Sequence, residues 1–174
     1  ALAQCPEEEL QAQAGSALEM LTLNEASMKS ILDLPHGLAA LNALAKSTSE
    51  IVLSTCVQAL SNLSTSSMCI RISTDGGLSV LSTLWLHGIP RICEQILVIM
   101  QRVCCDGEYL VAFIGGNGIS LLETLIYDDF GPSANDEQHT MDSKMSSQEF
   151  AVNVLLRCSS DVSLALNLLS EQVL

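Results

Sequence analysis

The chain has 174 residues, a formal net charge of −13, 48% hydrophobic residues and only 3% aromatic ones. This Leu- and Ala-rich composition favours helices packed on helices and argues against a β-sandwich, whose strands want aromatic and β-branched side chains. So acidic a chain repels nucleic acid and anionic membrane surfaces, which leaves basic or apolar partners or a charge that serves solubility alone, and only 16% charged residues sets it apart from acidic disordered segments.

In chain order, Pro6 followed by Glu7, Glu8 and Glu9 predicts a helix start, with proline in the first turn and carboxylates at the positive end of the helix dipole. The helix runs from Glu7 to Thr22 on an apolar stripe of Leu10, Ala14, Ala17, Leu18 and Leu21. Asn24 caps a short helix from Glu25 to Leu32, Pro35-His36-Gly37 breaks the pattern, and Leu38 to Ala45 forms another short helix. Ser47-Thr48-Ser49 supplies a cap for a strong helix from Ile51 to Leu63. Ser64 to Ser67 is a break, Met68 to Ile72 is short and apolar, and Thr74-Asp75-Gly76-Gly77 is a turn. Leu78 to Leu86 is the next helix, closed by His87-Gly88, and Pro90 opens the stripe of Ile92 to Cys104. Asp106-Gly107 is a break, Tyr109 to Ile114 is a short apolar piece, Gly115-Gly116-Asn117-Gly118 turns, and Ile119 to Ile126 is helical. Asp128 to Lys144 is polar and reads as an exposed loop, either a tolerated insertion between helices or a regulated or partner-contacting segment, since Ser133, Thr140 and Ser143, with Ser146 and Ser147 beyond it, could accept phosphate. Periodicity resumes at Phe150 to Leu156 and again at Val162 to Leu169.

The order long helix, short apolar piece, Gly turn, medium helix recurs every 40 to 42 residues. Residues 17–21 (ALEML) align with 59–63 (ALSNL), 99–103 (IMQRV) and 154–158 (VLLRC), the last interval being longer by about the length of the polar loop. Gly37-Leu38, Gly77-Leu78 and Gly118-Ile119 align as the turns before the second helices. A fixed period of helical units near this length is the signature of a stacked α-solenoid.

The unit ending in ALSNL and followed by GGL-xx-L-xx-L resembles an armadillo repeat, most closely over residues 56–84, then 93–126, then 14–45 and 148–169. The resemblance implies an all-α, right-handed superhelix of three-helix repeats. Residues 1–23 would hold the third helix of a preceding repeat, followed by repeats at 24–65, 66–105 and 106–159, the last carrying a long loop at 128–146, and 160–174 would begin another. With no polar cap helix at either end, a larger chain is expected to continue beyond both, or a partner to cover them.

The resemblance further implies a groove lined by the third helices, which holds a protein or extended peptide partner. The family's groove asparagine corresponds to Asn62, and the equivalent positions carry Met20, Arg102 and Arg157. One turn earlier stand Ser16, Gln58, Val98 and Asn153, where the family places tryptophan. The missing Trp and Asn arrays argue against an importin-like receptor for basic peptides. Arginine clamps carboxylates bidentately, so two of only seven basic residues at groove positions predict a groove that takes an acidic segment. The competing expectation is that both arginines pair with acids on neighbouring helices.

The function expected is a protein-binding scaffold or adaptor; the alternative is a fixed structural component of a large assembly such as a ciliary axoneme, its groove unused. No catalytic, cofactor or metal constellation is expected. Gly115-Gly116-Asn117-Gly118 lacks the strand, Lys and Ser/Thr of a phosphate loop, and Cys104-Cys105, His36, His87 and His139 lack metal-ligand spacing. Trp85 reads as packing between repeats, and the sequon at Asn62 is expected to stay unused. Seven cysteines, an odd number without a framework spacing, read as thiols in a reducing compartment, the cytoplasm or the nucleus. Cys56, Cys69, Cys93 and Cys104 sit in apolar runs and are expected to be buried. No uncharged apolar run reaches spanning length, so no membrane insertion is expected.

Overall fold

The computed structural model describes residues 3, 5, 7–34, 38–65, 69–104, 107–127 and 148–157. Every regular element among them is a helix, with no strand. They are α1 (Glu8–Leu21), α2 (Glu25–Leu32), α3 (Ala39–Leu44), α4 (Glu50–Ser64), α5 (Cys69–Thr74), α6 (Gly77–Trp85), α7 (Pro90–Val103), α8 (Gly107–Gly115), α9 (Gly118–Tyr127) and α10 (residues 148–157). Pro6, Pro35 to Gly37, Ser66 to Met68, Cys105, Asp106, the loop with its five hydroxyl residues, His139, Cys158 and the 160–174 unit lie outside the described residues.

Local chemistry sets most boundaries. Glu8 and Glu9 occupy the first turn of α1, and the Asn24 side chain accepts a hydrogen bond from the Ser27 N–H at 3.2 Å to cap α2. Gly88, at φ 65°, closes the chain after α6, donating its N–H to Trp85 O at 3.0 Å, and Pro90 takes the first position of α7. The turns are narrower than their Gly-rich sequences suggest: Thr74 and Gly77 are helical, as are Gly115 and Gly118, and Gly107 opens α8. The expected Ser cap of α4 is corrected. Ser49 makes no side-chain cap bond and instead donates to Glu8 Oε1 at 2.6 Å, while Ser47 Oγ donates to Gln11 Oε1 at 2.9 Å. A capping oxygen has to accept from a first-turn N–H, and in the rotamer that donates to Glu8 the Ser49 oxygen accepts from none, while Ser47 Oγ accepts from the Ser49 N–H at 3.3 Å.

Tertiary packing repeats every three helices. α1 packs on α4 and α4 on α7; α5 packs on α8; α3 packs on α6 and α6 on α9. One continuous apolar core runs through all of them, built from residues such as Leu44, Leu60, Leu81, Ile96 and Phe113, with Trp85 only 1% exposed within it. Gly15 lies close against α4, since a Cβ there would strike the Thr55 side chain.

Cys56, Cys69, Cys93 and Cys104 are buried. Burial pushes the Cys56 thiol from 9.0 up to about 12, and its Sγ lies 3.3 Å from Leu41 O. The folded state therefore keeps this proton where the unfolded chain loses it. The contribution is complete below pH 9.0 and is lost as pH rises toward about 12. In the native chain at mildly alkaline pH, iodoacetamide is expected to spare Cys56 while reacting at half-buried Cys5, and to reach Cys56 only in denaturant. Peptide mapping of the alkylated chain checks this; native labelling of Cys56 ahead of Cys5 would contradict it.

Candidate partner-binding face

The long helices α1, α4 and α7 lie side by side, so positions in register along them share one face. On α1, Ser16 is exposed and Met20 is 72% exposed; on α7, Val98 is 43% exposed. Gln58 and Asn62 on α4 and Arg102 on α7 are half-buried, and Asn153 and Arg157 are exposed on α10. The structure thus brings the α1, α4 and α7 candidates onto neighbouring helices.

Gln58, Asn62 and Arg102 on this face are engaged within the chain. Asn62 Nδ2 donates to Thr22 Oγ1 at 3.1 Å and more weakly to Glu19 O at 3.4 Å, both at the end of α1. Its Oδ1 accepts from Gln58 Nε2 at 3.3 Å. Arg102 repeats the arrangement one long helix later. Its Nη1 donates to Ser64 Oγ at 3.0 Å, Ser61 Oγ at 3.3 Å and Ser61 O at 3.5 Å. Ser61 and Ser64 stand where Glu19 and Thr22 stand in the preceding unit. The expected pairing of Arg102 with an acid is therefore corrected: the bonds run to neutral oxygens at the C-terminal end of α4, where a cation also suits the helix dipole.

Two more side chains follow the same rule. Arg71 on α5 donates Nη2 to Leu32 O at 2.5 Å, at the end of α2, and pairs with Asp33 at 3.1 Å and Asp75 at 2.5 Å. Its hydrogen bonds to Asp75, then Asp33, hold the guanidinium pKa above its ordinary value. His87, just past α6, places Nε2 at 2.7 Å from Ala45 O, the C-cap of α3, so it is half-buried and bonded and not a simple surface histidine. In each case a polar side chain reaches back to the C-terminal end of the helix three places earlier: α4 to α1, α5 to α2, the end of α6 to α3, and α7 to α4. The last carbonyls of a helix have no partner inside it, so these bonds meet a standing need of the fold.

The acceptors Thr22, Ser61 and Ser64 were not among the residues singled out by sequence. The available signal was a hydroxyl two positions after the aligned residues Met20 and Asn62.

Among the described residues no group of three or more His, Cys, Asp or Glu side chains could hold a metal ion. No single described helix is long and apolar enough to cross a membrane. The bent pair Tyr109–Gly115 and Gly118–Ile126 meets that measure jointly across an 82° angle, but Leu110, Phe113, Leu121, Leu122 and Leu125 in it are buried in the core. No family model, curated protein or solved structure matches the chain.

Proposed function

We propose that the chain is a segment of an armadillo-type, right-handed α-solenoid that serves as a protein-binding scaffold or adaptor. Its third helices are α1, α4, α7 and α10, and an extended partner segment lies across the face they form. The observation that carries this reading is the mixed chemistry of that face. Met20 and Val98 stay on the surface in register with the amides of Gln58 and Asn62 and the guanidinium of Arg102. Amides suit a peptide main chain, exposed apolar residues suit alternate side chains, and arginine suits a carboxylate. In this reading the chain binds and performs no chemistry, and it acts in the cytoplasm or the nucleus.

A second reading, a structural component of a large assembly with this face unused, is favoured by a different observation: Asn62 and Arg102 already bond to the preceding long helix. The two readings separate with labelled twelve-residue peptides, one rich in Asp and Glu and one rich in Lys. Under the scaffold reading the chain binds the acidic peptide preferentially, and R102Q with R157Q weakens it by about tenfold. R102Q alone also lowers stability by about 1–2 kcal/mol, because Ser64 and Ser61 lose a charged donor. Thermal unfolding followed beside the binding titration keeps these effects apart. Acidic-peptide affinity unchanged in a folded double variant, or no binding to the parent chain, leaves the structural reading standing.

A further inference from the structure

We propose that the contact between α2 and α5 is a charge-held clasp, kept shut by Arg71 between two carboxylates and able to open while the neighbouring helix pairs stay packed. Two equivalent junctions inside the array differ in kind. α5 packs closely on α8, whereas α2 makes no extended close backbone packing with any described helix. Of the residues of α2, Met28 and Leu32 are buried. Both junctions are internal to the chain, since α2, α5 and α8 succeed one another as the first helices of three consecutive units.

The sequence register accounts for the difference. Aligning Gly37, Gly77 and Gly118 pairs Asp33 with Ser73, Arg71 with Ala112, and Asp75 with Gly116. At the α5–α8 junction Gly116 meets Ser73 O so closely that a Cβ would overlap it, and Ala112 is nearly as small. The corresponding places at the α2–α5 junction hold Asp75 and Asp33, which repel each other. Arg71, in the place of Ala112, bridges them: it pairs with Asp33 at 3.1 Å and Asp75 at 2.5 Å and donates to Leu32 O at 2.5 Å. Charge does at this junction what close packing does one unit later.

Such a bridge opens readily. The Arg71 and Asp75 side chains are 30% exposed and Asp33 is 54% exposed, so water and salt compete for them. Losing Arg71 does more than remove two pairs, because it leaves two carboxylates facing each other across the junction. The rest of the unit is held independently. α3 packs on α6, with His87 bonded to Ala45 O, and α4 packs on α7, with Arg102 bonded to Ser64. Opening is therefore confined to the α2 edge and leaves the long-helix face assembled.

Pulsed electron paramagnetic resonance on the spin-labelled full chain tests the clasp. Ser30→Cys on α2 with Ser79→Cys on α6 reads the α2–α5 junction, and Ser79→Cys with Val111→Cys on α8 reads the next; all three positions are exposed. Serine replaces Cys5, Cys105 and Cys158, and the four buried cysteines are shielded from the label. With Arg71 in place, both pairs should give narrow distance distributions. R71Q is expected to broaden the 30–79 distribution and move it to longer distance, leaving 79–111 unchanged. Adding Asp33→Asn and Asp75→Asn to R71Q should narrow it again, because the repulsion is gone; a purely structural loss of bonds would give the opposite. In the parent chain, NaCl at about 1 M, where the Debye length falls to about 3 Å, should reproduce part of the broadening without any substitution. Where R71Q fails to fold, this salt series decides alone. A 30–79 distribution that neither R71Q nor salt moves, equal broadening of both pairs, or no narrowing in the triple variant overturns the proposal.

Discussion

Trp85→Ala is expected to lower the unfolding free energy by about 3–5 kcal/mol, the usual cost of removing a fully buried large aromatic side chain. Trp85 ends α6, the helix that packs on α3, α4, α7 and α9, and its side chain is 1% exposed. Truncation removes apolar area from the core and leaves a void that several helices would have to move together to fill. Its neighbours Leu81 and Leu84 are 0% exposed and already held by packing. Trp85→Phe keeps most of the area and should cost about 1–2 kcal/mol. Because Trp85 is the sole tryptophan, unfolding in urea has to be followed by far-ultraviolet circular dichroism. A loss below about 1 kcal/mol for the alanine variant would mean that the site collapses without a cavity, and that this helix does not fix its neighbours.

The helices were legible wherever sequence punctuation coincides with a backbone requirement. Pro90 and Gly88 mark the two sides of one connection, and both stand where the sequence placed them. Asn24 caps α2 as its residue type suggests. The errors fall where a side chain had a choice between its own backbone and another helix. Ser49 could cap α4 but faces Glu8 across the α1–α4 contact, and local sequence holds no record of that distance. The candidate face shows the same division. Repeat alignment put Asn62 and Arg102 in register, and the structure has both reaching back to the preceding long helix. Their bonding partners were not legible, because a bond spanning some forty residues depends on the offset between two helices and not on either one. For Arg102 this altered the energetic argument. A guanidinium offered freely to an acidic ligand would cost nothing to reorganise, whereas this one first leaves Ser61 and Ser64.

Gly116→Ala is expected to destabilise the chain by about 2–4 kcal/mol, a large effect for one methyl group. Gly116 lies in the turn between α8 and α9 and donates its N–H to Ala112 O at 2.9 Å. A Cβ there would overlap Ser73 O on α5 and stand 3.0 Å from the Ser73 carbonyl carbon and 3.1 Å from Ala112 O. These are backbone atoms, so no rotamer change relieves the contact; the turn must lift from α5, loosening the α5–α8 packing. The strain is steric and not conformational, since the left-handed residue of this turn is Asn117, at φ 70°. Gly77 and its counterpart Gly118 show a different approach, inside their own units, an added Cβ falling 2.7 Å from Ile72 O and 2.5 Å from Phe113 O. Gly115→Ala is the internal control: nothing lies within 4 Å of a Cβ there, and the residue is helical, so alanine should be neutral or stabilising by up to about 1 kcal/mol. Urea denaturation of the two variants, with amide hydrogen exchange read on α5 and α8, distinguishes them. If close α5–α8 contact holds the short helices in place, Gly116→Ala accelerates exchange on both, while Gly115→Ala leaves it unchanged. Equal stability and equal exchange in the two variants would show that the turn moves freely on α5, and that the short helices follow the long ones instead of bracing them.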